Sequence, residues 1–583
     1  MAAKPELSVS KAMETDESRQ LAEAEAPPPE SALLAPAEEK KPNNALARLQ
    51  NEGQSIARRE VRGRVSTVFS AAKPTAPGIG FADGVAQDSI VAPIPQPVEV
   101  DRENYTDFDD NAVKSVSKVP VSTFSIDVDT AAYSRVRRAL AGGSLPPKDM
   151  VRVEEMVNYF SYDYPLPETR EQPFKPTVTI MPAPWNETTQ LMHIGIKGFD
   201  VPQSTQPKAN LVFLLDVSGS MRSADKLPLL IKSFRLLLKK LNPEDTVSIV
   251  TYAGRSATVL EPTKASDRNK IIAALENLRA GGSTAGAQGI EQAYKLAQQN
   301  FVDGGVNRVM LATDGDFNVG ISDPRQLKDF IARKRKSGIF LSVFGFGTGN
   351  YNDALMQSLA QNGNGTAAYI DTLLEARKAL VEEAGGTLFP IATDVKIQME
   401  FNPARIAEYR LIGYETRALK REDFNNDKID AGDIGSGHTV TAIYELTPVG
   451  SDAVLNTPLR YKKKPEEAAA VNVSDELGFL KMRYKLPSES KSKLIETPIT
   501  GTLAVDAFEA ASQDARFSVA VAGFGQKLRG NDALDGWGWD AIAKAAKDAS
   551  GGDLFGYRNE FAQLVRLAGA LSPDAKSVSA PKE

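Results

Sequence analysis

The sequence predicts an α/β fold at its centre: a doubly wound, mostly parallel sheet, flanked by an α-rich N-terminal module and a β-rich, α+β C-terminal region. Three observations lead there. Leu211 to Leu215 is an unbroken apolar run, the pattern of a strand covered on both faces, as parallel strands are. Further strand-like segments at Thr246 to Tyr252, Arg308 to Thr313 and Ile339 to Phe346 alternate with helical ones, and such alternation places helices on both sides of one sheet. On either side of this block the pattern changes, to helical before it and to two-residue alternation after it.

From Met1 to about Val119 the chain is rich in Ala, Pro, Glu, Ser and Gln, as in Ala26-Pro-Pro-Pro-Glu30 and Ile94-Pro-Gln-Pro-Val98. Residues 1–119 therefore read as a mostly disordered tether, in which Asn44 to Val68 has apolar residues enough only for a transient helix. Order is expected from Ser122-Thr-Phe-Ser-Ile-Asp127-Val-Asp129-Thr130, followed by a helical stretch from Ala131 to Ala141 and by Arg152 to Phe160, within a module spanning 120–200. Asp127-x-Asp129-Thr130 departs from the aspartyl-phosphate motif of haloacid dehalogenase-like phosphatases, where the threonine stands two places after the second aspartate. A strand end that caps the next helix through Asp129 or Thr130 is the preferred reading. Thr177 to Phe199 reads as two strands broken at Pro182 to Asn186.

The central block is set at 208–386. In its first helix Leu227, Leu230, Ile231, Phe234, Leu237, Leu238 and Leu241 form one apolar stripe, with Lys232, Arg235, Lys239 and Lys240 elsewhere. Further helices are expected near Asp267 to Leu278, Ala285 to Asn300, Asp323 to Ser337, Asn352 to Asn362 and Leu373 to Ala384. The third of these has Asp323 as N-cap, Pro324 at its first position and Gly338 beyond its end, so Arg333-Lys334-Arg335-Lys336 complements the helix dipole rather than forming a targeting or nucleic-acid patch.

In the C-terminal region, 387–575, Val395 to Phe401 and Thr439 to Leu446 alternate like half-buried strands of a β-sandwich-like unit. Pairing of these strands with Thr177 to Phe199 would make the central block an insertion. Glu476 to Lys485 is strand-like, Ala515 to Leu528, Trp539 to Ala549 and Tyr557 to Leu571 are helical, and residues 576–583 form a tail. Asp423-Phe-Asn425-Asn-Asp427-Lys-Ile-Asp430-Ala-Gly-Asp433 imitates a calcium loop without the glycine at its sixth position or the glutamate at its twelfth. A polar turn is preferred, with weak cation binding as the alternative.

Composition narrows the function. A chain of 583 residues exceeds one core. A net charge of −6 from interspersed acids and bases argues against a nucleic-acid surface. There is no cysteine, hence no disulfide or thiolate chemistry, and the only histidines, His193 and His438, lie in strand-like segments, so histidine catalysis is not expected. No run of about 20 apolar residues could span a membrane, and the first thirty or so residues lack the apolar core of a signal peptide, so the chain reads as soluble.

The chemistry gathers where the apolar strand ends. Asp216, Ser218 and Ser220 alternate at period two, so an extended turn points their three oxygens to one side. Gly281-Gly-Ser-Thr284 opens a helical stretch and Met310-Leu-Ala-Thr313-Asp314-Gly315 closes another strand, which brings Thr284 and Asp314 to the same sheet edge. Two carboxylates, three hydroxyls and room for water suit Mg²⁺, with Mn²⁺ or Ca²⁺ also admitted, and leave a coordination position open.

These five residues resemble the metal-ion-dependent adhesion site of von Willebrand factor A domains. The resemblance implies that Ser218 and Ser220 ligate the metal directly, Thr284 directly or through water, and Asp216 and Asp314 mostly through water. It also implies that a protein partner's Asp or Glu supplies the last ligand. Ser122 to Thr130 with Arg152 to Phe160, Ala520-Val-Ala-Gly-Phe-Gly525 and Gly556-Tyr-Arg-Asn-Glu-Phe561 resemble the terminal domains of a bacterial subfamily of YfbK-like proteins. The implied function is non-enzymatic, Mg²⁺-dependent protein–protein interaction; a metal-dependent hydrolase and a scaffold subunit of an ATPase or secretion assembly are the alternatives. The resemblance favours the cell envelope, periplasmic or membrane-associated, although the chain carries neither signal peptide nor span.

Overall fold

The computed structural model describes residues 107–573, apart from 127, 284–286, 316–323, 348–351, 384–385, 387, 430, 457–474, 488, 532–533 and 535. The tether up to residue 106, with its Asn44 to Val68 stretch, and the tail from residue 576 lie outside these residues. All described residues fall in one unit, Gln96–Glu583.

The chain begins with β1 (Lys114–Ser115), β2 (Val121–Ser125), α1 (Ala131–Ala141), α2 (Val153–Asn158), β3 (Phe174–Ala183) and β4 (Asn186–Gly198). The central block follows as β5 (Ala209–Asp216), α3 (Leu227–Leu237), β6 (Thr246–Tyr252), β7 (Ser256–Lys264), α4 (Arg268–Glu276), α5 (Ala287–Gln299), β8 (Val306–Thr313), α6 (Pro324–Lys336), β9 (Phe340–Phe346), α7 (Asp353–Asn362), β10 (Ala367–Ile370) and α8 (Leu373–Arg377). Its sheet has the order β10-β9-β8-β5-β6-β7, parallel throughout except for the antiparallel edge strand β7.

Strand β5 shows why both faces are covered. Successive side chains of a strand point to opposite faces. Leu211, Phe213 and Leu215 join one core with Leu230, Phe234 and Leu237 of α3 and Ile271 and Leu275 of α4. Val212 and Leu214 join the opposite core with Ile290 and Tyr294 of α5, Leu327 and Ile331 of α6 and Met356 and Leu359 of α7. The doubly wound α/β expectation holds in this form.

Strands β7 and β10 were not among the expected ones. β7 is an edge strand with Pro262 and many half-exposed residues, as edges tend to be, and β10 has only 4 residues. The last helix of the block, expected from Leu373 to Ala384, is α-helical only to Arg377 and continues as a π-turn over Lys378–Glu382.

The chain ends with β11 (Pro390–Phe401), β12 (Ile406–Ile412), β13 (Gly432–Gly435), β14 (Thr439–Pro448), β15 (Glu476–Lys485), β16 (Lys493–Thr500), α9 (Gln513–Leu528), α10 (Trp539–Asp548) and α11 (Tyr557–Leu571). One sheet runs β1-β12-β14-β4-β3, and the other runs β13-β11-β15-β16 with β2 also on β11. Ile194, Ile196 and Tyr444 of the first and Ile397, Met399 and Leu480 of the second share one core, so the sheets form a sandwich. The pairing of β4 with β14, Ile194 opposite Ala442, closes the sandwich across the whole central block.

Residues 107–119, assigned to the tether from composition, are held instead. Asn111 Nδ2 donates to the carbonyl of Gly413 at 2.7 Å, β1 pairs with β12, and Arg529 meets Asp110 at 2.5 Å. A long partner surface fixes a segment whose own apolar content could not.

Helices α1, α2, α9, α10 and α11 form a further core around Tyr133, Met156, Phe517, Phe524 and Phe561. α1 and α2 meet the central block through buried charges. Arg135 and Arg152 reach Asp353 at 3.1 and 3.0 Å, Arg152 also reaches Glu155 at 3.1 Å, and Arg137 pairs with Asp371 and with Glu375. The cap of α1 differs from expectation. Thr130 stands at the N-cap without a side-chain bond, Asp129 takes Arg417 at 2.8 Å and the Ala367 amide at 3.0 Å, and Glu155 accepts from the Ala132 amide at 2.9 Å. Asp127 lies outside the described residues. Among the described residues no helix is long and apolar enough to cross a membrane.

Candidate metal centre

Three loops meet at the C-terminal edge of the central sheet, the side on which open α/β sheets carry their ligands. The first leaves β5. Val217 donates to the Tyr252 carbonyl at 3.0 Å, which keeps the chain extended past the end of the strand, and the Ser218 amide donates to Asp216 Oδ1 at 2.8 Å, an Asx turn. The chain then tightens into one 3₁₀ turn over Gly219–Arg222. This brings the Ser218 and Ser220 hydroxyls to 2.9 Å from each other.

The second loop is stitched to the first by backbone bonds: Gly281 donates to the Val217 carbonyl at 2.8 Å and Gly219 to the Gly282 carbonyl at 3.0 Å. Gly282 has φ +85°, a left-handed conformation that glycine takes without strain. Thr284, two residues on, lies outside the described residues. The third loop leaves β8, the strand beside β5. Asp314 is fully buried there, Gly315 N donates to Thr313 Oγ1 at 3.2 Å, and Thr313 Oγ1 stands 3.4 Å from Asp216 Oδ2. Asp316, the one extra carboxylate near the site in sequence, lies outside the described residues.

The structure thus brings Asp216, Ser218, Ser220 and Asp314 to one edge. Asp216, Ser218 and Asp314 are buried while Ser220 is exposed, so the site is open to solvent on the Ser220 side. Burial pushes the Asp216 carboxyl up to about 6; the charge of Asp314 acts in the same direction and the bonds from Ser218 oppose it. Two buried carboxylates beside two hydroxyls form a hard, oxygen-only donor set that a divalent cation would relieve. That chemistry fits Mg²⁺ better than a thiolate- or imidazole-seeking metal. With two carboxylates the rest of the donor set is hydroxyl, and among the described residues no group of three or more His, Cys, Asp or Glu is placed to hold a metal ion.

Lys226 is the residue that sequence reasoning missed. Its ammonium lies 3.0 Å from Asp314 Oδ2, and its side chain is only 10% exposed. The lysine stem crosses Gly347, whose φ is +72°; a Cβ there would stand 2.3 Å from the lysine Cγ and Cε. No spacing rule joins Lys226 to an aspartate on another strand, and a basic residue just before a helix is unremarkable in sequence.

The other residues singled out lie elsewhere. His193 is buried in β4 with Nε2 at 3.1 Å from the Tyr164 hydroxyl, and burial pulls it down to about 4. His438 precedes β14. In the calcium-loop look-alike, Asp427 accepts from Ser492 Oγ at 2.8 Å and Arg483 Nε at 3.4 Å, and Asp423 accepts from the Lys420 amide at 3.3 Å, which is the bonding of a polar turn; Asp430 lies outside the described residues. Arg333 to Lys336 form the last turn of α6, ended by Gly338 at φ +81°.

Comparison with known proteins matches three successive family models: von Willebrand factor over residues 99–193, von Willebrand factor type A domain over 210–383, and "Uncharacterized protein YfbK, C-terminal" over 386–571. The chain is 46% identical over 474 residues to the uncharacterized protein YfbK of Escherichia coli (strain K12), covering 80% of this chain and 81% of that protein. It is 26% identical over 211 residues to inter-alpha-trypsin inhibitor heavy chain H4 of Homo sapiens, covering 34% of this chain and 22% of that protein. The solved structure of a von Willebrand factor type A protein from Catenulispora acidiphila aligns over 68% of this chain and 90% of its own, with 14% identity and a TM-score of 0.37.

Proposed function

This chain belongs to the bacterial von Willebrand factor type A family represented by YfbK, and from that premise we propose that it is a non-enzymatic interaction protein that captures an acidic side chain of a protein partner at a Mg²⁺-occupied adhesion site. Asp216, Ser218, Ser220 and Asp314 hold the cation, with Thr284 as the fifth donor. When bound, the cation supplies concentrated positive charge at a partly desolvated edge, where a partner's Asp or Glu can replace a water ligand.

One observation carries this reading: separate loops deliver two buried carboxylates and two hydroxyls to a single edge that is open at Ser220. The residues of the chain divide the work. Asp216 orders the turn through the Ser218 amide, the Gly281 and Gly282 backbone bonds lock the second loop to the first, and Lys226 balances the charge of Asp314 while no cation is bound. A hydrolase would need a base beside the metal, and neither histidine is on these loops.

The test is calorimetric titration of Mg²⁺, Mn²⁺ and Ca²⁺ into wild type and Asp216→Ala, followed by affinity capture with and without chelator. Saturable metal binding lost in Asp216→Ala, with capture that needs the metal, is the expected result. Equal Mg²⁺ affinity in the two proteins overturns the assignment.

A further inference from the structure

A second cluster of charge lies at the opposite edge of the central sheet. Arg308 is the third residue of β8, and Asp314 follows the strand's end. The two Cα positions are roughly 20 Å apart at about 3.3 Å per residue. A cavity of about 380 Å³ opens there between the central block and the sandwich. Arg308, Arg335 of α6 and Arg417 line it, together with Gln361 and Asn364; among the described residues Asp433 is the only carboxylate in the lining and no aromatic side chain takes part.

Two of the three guanidiniums are anchored at the wall. Arg417 meets Asp129 at 2.8 Å, and Arg335 donates to Asn364 Oδ1 at 3.1 Å. Arg308 is different. It is 3% exposed, it donates to Ser342 Oγ at 2.7 Å, and its Nε has no hydrogen-bond partner among the described residues. A buried guanidinium without a matching carboxylate is costly, and burial pulls this one down to about 10, with the charge of Asp433 working against that pull. A planar fork with a donor to spare, beside two more guanidiniums, is suited to the paired oxygens of a phosphate or carboxylate.

We infer that this cavity binds a small, non-aromatic oxyanion, a phosphate monoester or a di- or tricarboxylate, held by Arg308, Arg335 and Arg417. The cavity volume suits a ligand of a few to some twenty heavy atoms. Among the described residues the lining offers no aromatic ring for a nucleobase to stack on. The site is independent of the candidate metal centre.

The test is calorimetric titration of inorganic phosphate, and separately of citrate, into the full chain in chloride buffer without divalent cations. Wild type, Asp216→Ala, Arg335→Ala and Arg308→Met are compared. Arg335 is half-buried at a helix end, so its removal leaves the core intact and keeps the test informative if Arg308→Met fails to fold. Saturable binding of at least one anion is expected, unchanged in Asp216→Ala and weakened by about tenfold or more in the arginine variants, as loss of a charge-assisted bond predicts. Phosphate alone identifies the monoester source and citrate alone the carboxylate source. No saturation by either anion up to about 10 mM, the weak limit of useful affinity, overturns the inference, as does equal affinity in all four proteins or loss in Asp216→Ala.

Discussion

Replacing Lys226 by Met tests whether the lysine competes with the proposed cation for Asp314. Methionine keeps the length of the stem that crosses Gly347 and removes only the charge. At the observed 3.0 Å, two unit charges attract by about 5–6 kcal/mol at an effective dielectric of about 20. Desolvation of both groups offsets much of that, and bonds to charged groups leave a net of about 1.5–3 kcal/mol. A divalent cation that draws on Asp314 must overcome this net attraction, so Lys226→Met should bind Mg²⁺ roughly ten- to hundredfold more tightly, at 1.4 kcal/mol per decade. Without metal the variant buries two carboxylates with no ammonium, so its stability in chelator should fall by about 3–5 kcal/mol and recover when Mg²⁺ is added. Calorimetry gives the affinity, and urea unfolding with and without Mg²⁺ gives the stability. Unchanged or weaker Mg²⁺ binding in Lys226→Met would refute the reasoning and make the lysine an organiser of Asp314 instead of a rival to the metal.

Two further perturbations test the frame around the site. His193 is neutral in the folded protein, with its pKa pulled from the usual 6.5 to about 4 by burial; below about pH 6.5 the unfolded chain gains a proton that the folded chain refuses, so stability falls as pH drops towards 4. The loss reaches about 2 kcal/mol at pH 5; urea midpoints at pH 7 and 5 should converge less in wild type than in His193→Gln, and equal losses in both would contradict the assignment. Arg152→Ala strips Asp353 and Glu155 of a buried guanidinium and should cost about 3–5 kcal/mol in urea unfolding, whereas a cost below about 1 kcal/mol would mean that Arg135 alone balances the cluster.

Much of the central sheet was legible because its signals are local. A strand buried on both faces must be apolar at every position, and Leu211 to Leu215 is. The stripe through Leu230, Phe234 and Leu237 could serve only a packed helix face. Asp216, Ser218 and Ser220 are neighbours, so their turn is written in five consecutive residues. The edge strand β7 was hidden by the half-exposed positions that an edge tolerates, and residues 107–119 looked like tether because their order comes from β12 and Arg529 rather than from themselves.

By itself, then, the sequence determined the four inner strands of the central block, most of its helices and the turn of oxygen-bearing side chains after β5, since each rests on contacts within a strand, a turn or a helix face. The tertiary structure decided what depends on distant partners. It pairs β4 with β14 across the central block, aims Lys226 at Asp314 over a glycine that leaves room for it, and sets Arg308 into the wall of a cavity that only the meeting of sheet and sandwich creates. The physical reason is that a side chain's neighbours within a few residues fix its local conformation, whereas the charge it meets is fixed by chain closure over tens to hundreds of residues.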